Sequence, residues 1–169
     1  MDTFAAGALA SLPPNPKVMK DKPRDRNAFI VNKEMTRSIF GVGLLFVVIL
    51  LGMLYYFTVT DYFNTGGTDL STKELTVFFT FFVFLQFWNM FNAKAFFSGK
   101  SAFHGLNKSI GFLIVGFAII FGQFLIVEYG GDVFRTVPLS INEWLVIIGS
   151  TSLVLWIGEI IRLIKKEPL

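Results

Sequence analysis

Asp2 opens a short apolar stub, MDTFAAGALASL, that stops at Pro13-Pro14. It is the stub's only charged side chain and lies at the end farthest from the proline pair. Two environments are open to it. At the tip of a free segment it is a solvated carboxylate with no special role. If the stub is half of a membrane-spanning helix, Asp2 lies near the bilayer midplane, where a lone carboxylate costs several kcal/mol unless it pairs or binds a cation. A second polar set stands in Leu75 to Ala93, LTVFFTFFVFLQFWNMFNA, where Gln86, Asn89 and Asn92 recur at i, i+3, i+6 on one side of a helix. Amides at that depth face other helices or a polar cavity, so they either hydrogen-bond between helices or wall an ion path. Other chemistry is excluded. With no Cys there is no thiol or disulfide chemistry, and one His, His104, cannot form a His-cluster metal site within this chain.

These residues must be positioned by long apolar helices. Leu75 to Ala93 holds no Asp, Glu, Lys, Arg or Pro and reaches about 28 Å as a helix, close to the ~30 Å hydrocarbon core. Ser38 to Phe57, Ser109 to Val127 and Trp144 to Ile164 are further spans, the last carrying only Glu159 and Arg162 near its end. Those two stand at i, i+3, where a local ion pair or snorkelling accounts for them. The stub reaches only about 18 Å, too short to cross. The chain is 53% hydrophobic and 16% charged, against about 25% charged in soluble domains, and its 21 Phe suit lipid-facing surfaces. The fold class is therefore an all-α membrane protein with four full transmembrane helices plus an N-terminal half-helix. The long unalternating runs exclude a barrel.

Local signals mark the ends of these spans. Ser71-Thr72-Lys73-Glu74 and Ser140-Ile141-Asn142-Glu143 are capping boxes that open the second and fourth full spans. Tyr55, Tyr56 and Trp144 suit a membrane–water interface. Gly41, Gly43 and Gly52 would permit close helix approach, and Gln123 is expected to donate a hydrogen bond between helices. Residues 13–37 form a polar connector stiffened by Pro13, Pro14, Pro16 and Pro23, whose basic residues set topology or dock a partner. Of the 15 basic residues, all but Lys73 and Arg135 fall on one side of this arrangement. The positive-inside rule then puts the connector and the C-terminus in the cytoplasm. The net charge of +3 is thus a topology signature, not a nucleic-acid footprint.

MDTFAAGALASLPPNPKVMKDKPRDRN resembles the end of the sixth transmembrane helix and the following cytoplasmic loop of calcium-transporting P-type ATPases, closest to the plasma-membrane subgroup. FVFLQFWNMFNAK resembles the eighth helix of that family, IVEYGG-x-x-F a following loop, and LSINEWL the opening of the tenth. The ordered set covers essentially the whole chain. The resemblance implies that 1–12 is the C-terminal half of helix six, 13–37 the cytoplasmic coupling loop and 38–169 the four-span C-terminal transmembrane domain. It implies that Asp2 is a direct ligand of the transported cation. It puts Gln86 where sarcoplasmic-reticulum relatives carry a second-site glutamate, favouring a single-site pump and leaving Asn89 and Asn92 to helix packing. Pro13, Pro14, Pro23, Arg24 and Arg26 fall in the loop that couples phosphate chemistry to helix movement.

The resemblance further implies calcium as the transported ion, ATP and magnesium in other domains, and no cofactor in this chain. Implied partners are the remaining pump domains, the upstream transmembrane helices and the lipid bilayer of the cell membrane, with no nucleic acid. The chain holds no DKTGT phosphorylation motif, TGE motif or PEGL-type ligand segment, so it is expected to be inactive alone. Met1 would match an internal methionine of the family, and the short tail after Lys166 leaves no room for a calmodulin-binding extension, which implies a bacterial-type pump. Two other readings stay open: a stand-alone four-span structural or regulatory protein, and the same region of a sodium or proton pump.

Overall fold

The structure, a computed structural model, describes residues 2–12, 31–60, 70–96 and 100–164, with the backbone alone for Asp2 and Glu34. Among the described residues six α-helices follow one another: α1 (Asp2–Ala10), α2 (Lys33–Thr60), α3 (Thr72–Ala95), α4 (Ile110–Tyr129), α5 (Gly131–Phe134) and α6 (Ile141–Ile164). A 3-10 turn, Leu106–Lys108, precedes α4, and the described residues contain no strand. Four of the helices, α2, α3, α4 and α6, are long and apolar enough to cross a membrane. With the short α1 they make the expected four spans and N-terminal half-helix.

Helix starts follow local hydrogen bonding. At α3 the Glu74 amide donates to Ser71 Oγ at 3.1 Å and the Ser71 amide donates to Glu74 Oε2 at 2.8 Å, a reciprocal capping box. The same exchange at α6 joins Ser140 and Glu143, with 2.8 Å from the Ser140 amide to Glu143 Oε2. Both boxes start their helices about a turn before the apolar run begins. The start of α2 has a cap that the charge pattern hides: the Met35 amide donates to Asn32 Oδ1 at 2.7 Å. The helix therefore includes Lys33 and Arg37 and begins well before Ser38.

The core forms around α3. Half of its apolar window is buried, against 22% for α4 and α6 and 6% for α2. It packs most extensively on α6, and also touches α1, α2 and α4. Lipid tails are as apolar as these side chains, so close van der Waals fit must hold the helices together. Aromatic edges supply much of that fit. Phe91 meets Phe112 of α4 at 5.0 Å and 89°, and Phe84 meets Trp144 of α6 at 6.1 Å and 74°. Gly116 lets α4 close on Phe87 and Met90, and Gly111 lies under Ser11 at the end of α1. Among the described residues Gly41, Gly43 and Gly52 play no such part, since none of those residues stands within 4 Å of a Cβ built at any of them. The residues expected to bring another helix close therefore meet none here.

Trp144 also turns inward. Its indole N–H donates to Glu128 Oε1 at 3.0 Å and its ring packs on Phe84 and Phe124, so it ties α6 to α4 and α3.

Candidate functional site

The carboxylate of Asp2 lies outside the described residues, although its backbone forms the first turn of α1. Pro13, Pro14, Pro23, Arg24 and Arg26 also lie outside them. The amide set of α3 is described, and its members have different surroundings. Gln86 and Asn89 are half-buried and make no side-chain hydrogen bond among the described residues. Asn92 is hydrogen-bonded to α6 through both its oxygen and its nitrogen.

Asn92 belongs to a polar knot. Its Nδ2 donates to the Val154 carbonyl at 2.9 Å, and its Oδ1 accepts from Arg162 Nη2 at 2.9 Å. Arg162 also donates to Glu159 Oε1 at 2.8 Å, the i, i+3 pair expected from their spacing. The same Glu159 oxygen accepts the Ala102 amide at 2.6 Å. Lys94 Nζ then donates to the carbonyls of Ala102 and His104, at 3.2 and 2.6 Å. One carboxylate, one guanidinium, one ammonium and one carboxamide thus bind the end of α3, the end of α6 and the 100–108 loop together. Asn92 already uses its oxygen and one N–H, and Glu159 faces a cation and an amide. The arrangement holds helices rather than offering open ligands.

Gly158 makes room for the knot: a Cβ there would overlap the Asn92 carboxamide. Gly158→Ala is expected to destabilise the chain by about 1–3 kcal/mol. In an Asn92→Ala background, where the obstructing amide is gone, the same change should cost no more than about 0.5 kcal/mol. Thermal unfolding of the detergent-solubilised chain, followed by circular dichroism, checks this. Equal costs in both backgrounds would detach Gly158 from the knot.

At the other end of the bundle the polar groups are also structural. Gln123 Nε2 donates to Thr80 Oγ1 at 3.1 Å, the interhelical bond expected of it. The Val137 amide donates to Thr76 Oγ1 at 3.2 Å. Each threonine hydroxyl meanwhile donates back to the carbonyl one turn earlier, at 2.7 and 2.8 Å. Their protons are committed to the helix, so the ladder clamps and does not conduct. Lys73 Nζ bridges Glu143 at 2.7 Å, joining the starts of α3 and α6. A cavity of about 470 Å³ lined by Thr72, Asp132, Arg135 and Thr136 opens at this end. It lies about 21 Å along α3 from Gln86, too far to share an ion path with it. Among the described residues no three His, Asp or Glu side chains gather to hold a metal ion.

No single-sequence signal reveals that Lys94 clasps a loop or that Ala102 shares the carboxylate of Glu159. The ion pair is readable from spacing, whereas its further partners come from elements far apart in the chain.

A family model described as cation transporting ATPase, C-terminus, matches residues 1–164. The chain is 38% identical to a putative plasma membrane-type calcium-transporting ATPase 11 of Arabidopsis thaliana, over 94% of this chain and 15% of that protein. It is 31% identical to plasma membrane calcium-transporting ATPase 2 of Oreochromis mossambicus, over 100% of this chain and 16% of that protein. It is 29% identical to plasma membrane calcium-transporting ATPase 4 of Homo sapiens, over 100% of this chain and 14% of that protein. The chain therefore spans about 15% of the length of the curated relatives it matches.

Proposed function

The chain belongs to the cation transporting ATPase C-terminal family, and from that membership we propose that it is the C-terminal membrane part of an ATP-driven calcium export pump of the cell membrane. The observation that carries this reading is the family match along 164 residues together with relatives named as calcium-transporting ATPases. ATP, magnesium and the phosphorylated group belong to other parts of the pump. This chain contributes one ion ligand and the scaffold against which the moving helices work.

The ligand is Asp2. Ser11 rests on Gly111 in the first turn of α4, and α1 packs along α4 and α3. At ~1.5 Å per residue, Asp2 lies about 14 Å farther along α1, near half the roughly 30 Å length of α4. That depth supports a midplane carboxylate. A hard divalent cation takes oxygen ligands there, and a proton can neutralise the same carboxylate once the ion has left. Gln86 supplies no anionic oxygen, which favours one calcium site rather than two. The stretch with Pro13, Pro14, Pro23, Arg24 and Arg26 couples phosphate chemistry to α1 from the cytoplasmic side, where the basic residues gather. Lys94, Glu159 and Arg162 hold the scaffold closed at that side.

Inside-out vesicles carrying the full-length pump test this reading. ATP should drive accumulation of calcium-45, with no comparable uptake of sodium-22. ATP-driven movement of sodium or protons without calcium would overturn the ion assignment, and absence of any ATP-driven transport would overturn the pump.

A further inference from the structure

The cavity at the end of the bundle away from the Asn92 knot holds two opposite charges that do not meet. Asp132 and Arg135 both line it, and neither makes a side-chain hydrogen bond or ion pair among the described residues. Their i, i+3 spacing is that of Glu159 and Arg162, which close to 2.8 Å on the regular helix α6. The difference lies in the backbone. Arg135 ends α5 with φ 51°, in the left-handed region that residues other than glycine rarely enter. Its neighbours hold the turn in that shape. The Thr136 amide donates to the Gly131 carbonyl at 3.0 Å, Thr136 Oγ1 donates to the Ile126 carbonyl at 2.7 Å, and the Val137 amide donates to Thr76 Oγ1 at 3.2 Å. The fold thus keeps a cation and an anion apart around one cavity of about 470 Å³. That is a usual size for a small-molecule site, ~300–1,000 Å³.

The place of the cavity indicates where its occupant comes from. Thr72, which also lines it, is the first residue of α3, and Tyr129, shortly before it in the chain, is the last of α4. The cavity therefore lies at the level where two membrane spans end. Between the two charges stand Val133 and Phe134, 85% and 58% exposed. Apolar side chains at that level enter the boundary between headgroups and acyl chains rather than water. We propose that the cavity binds the headgroup of a zwitterionic phospholipid with a primary ammonium, a phosphatidylethanolamine. Its phosphate accepts from the Arg135 guanidinium and the Thr72 hydroxyl, its ammonium donates to Asp132, and its acyl chains run over Val133 and Phe134. A trimethylammonium headgroup offers the carboxylate no N–H, and an anionic headgroup meets it as a like charge. The proposal rests on the membrane-spanning helices and not on the ion that the protein moves.

The test uses the full-length protein in phosphatidylcholine vesicles with a trace of phosphatidylethanolamine carrying a diazirine near the top of one acyl chain. Light-induced adducts within residues 129–141 are quantified by peptide mass spectrometry, with adducts along the middle of α4 as the reference for general lipid access. Labelling of 129–141 should fall about ten-fold in Arg135→Gln and in Asp132→Asn, the loss expected of one charge-assisted hydrogen bond, while the reference stays unchanged. Added unlabelled phosphatidylethanolamine should displace the probe, and added phosphatidylglycerol should not. Equal labelling by the matching phosphatidylcholine probe would mean ordinary lipid contact and overturn the proposal. Displacement by phosphatidylglycerol as effective as by phosphatidylethanolamine would reduce the cavity to an anion site and also overturn it. So would displacement by water-soluble glycerophosphoethanolamine at the same concentration, since the occupant would then come from water. If either variant fails to accumulate, the probe comparison and the displacement series on the native protein decide alone.

Discussion

A full-length pump carrying Asp2→Asn is expected to reach the membrane in normal amount and to lose ATP-driven calcium uptake at micromolar calcium. The substitution keeps the side-chain shape and one carbonyl oxygen, so it removes little besides the charge. Calcium sites tune their affinity by the number of charged ligands and their rigidity. Losing the anionic ligand proposed for this chain should weaken calcium binding by about 100-fold, equivalent to about 2.7 kcal/mol. Uptake should partly return at millimolar calcium, and Asp2→Glu should retain more activity than Asp2→Asn because it keeps the charge at an altered reach. The measurement is calcium dependence of uptake in inside-out vesicles, normalised to pump content. Unchanged affinity in the Asp2→Asn pump would remove this residue from the ion site and leave α1 as a packing element.

The readable part of the fold is what local chemistry determines. Apolar runs long enough to span a bilayer, charge-free in α2, α3 and α4 and broken in α6 only by Glu159 and Arg162 near its end, announce these four helices, and Ser71 and Ser140 start two of them through backbone donors within their own turn. Neighbours are harder to read. Gly41, Gly43 and Gly52 have the composition of a helix contact yet meet nothing among the described residues, while Gly158 accommodates Asn92, a residue remote in the chain. A glycine records that a neighbour is permitted, not that one is present.

The amide set illustrates a second limit. Residues at i, i+3 and i+6 share a side of a helix only approximately, because each step turns the position by about 60°. Across Gln86, Asn89 and Asn92 the drift is enough to give the last residue to α6 and leave the first two without a side-chain hydrogen bond among the described residues. One helix face in the sequence is thus two faces in the bundle. Asp2 is different again: residue type and position mark it as unusual, but on the proposed reading what explains its charge is an ion and a set of ligands from other segments.

The largest expected loss of stability comes from Arg162→Met. In the native knot the side chains of Glu159 and Arg162 are only 12% and 17% exposed. Removing the guanidinium leaves a nearly buried carboxylate with neutral donors only, the Ala102 amide and the Ser101 hydroxyl, and leaves Asn92 Oδ1 without its donor. Breaking one half of such a pair costs about 3–5 kcal/mol, because the remaining charge stays in a medium of low dielectric constant. The native pair is itself imperfectly satisfied, since Arg162 Nε is buried with no acceptor. Deleting both charges should therefore be far milder than deleting one. Glu159→Gln keeps an oxygen for the Ala102 amide, so the double change Glu159→Gln with Arg162→Met should recover most of the loss. Thermal unfolding of the solubilised chain, with wild type, both single variants and the double variant in one cycle, measures this coupling. A double variant as unstable as Arg162→Met would show that the guanidinium acts through the Asn92 carboxamide and not by neutralising Glu159. The 100–108 loop reports the same event independently: local opening that carries the unneutralised Glu159 carboxylate out to water also parts it from the Ala102 amide, so cleavage by trypsin at Lys100 should accelerate in the single variant and return towards the native rate in the double.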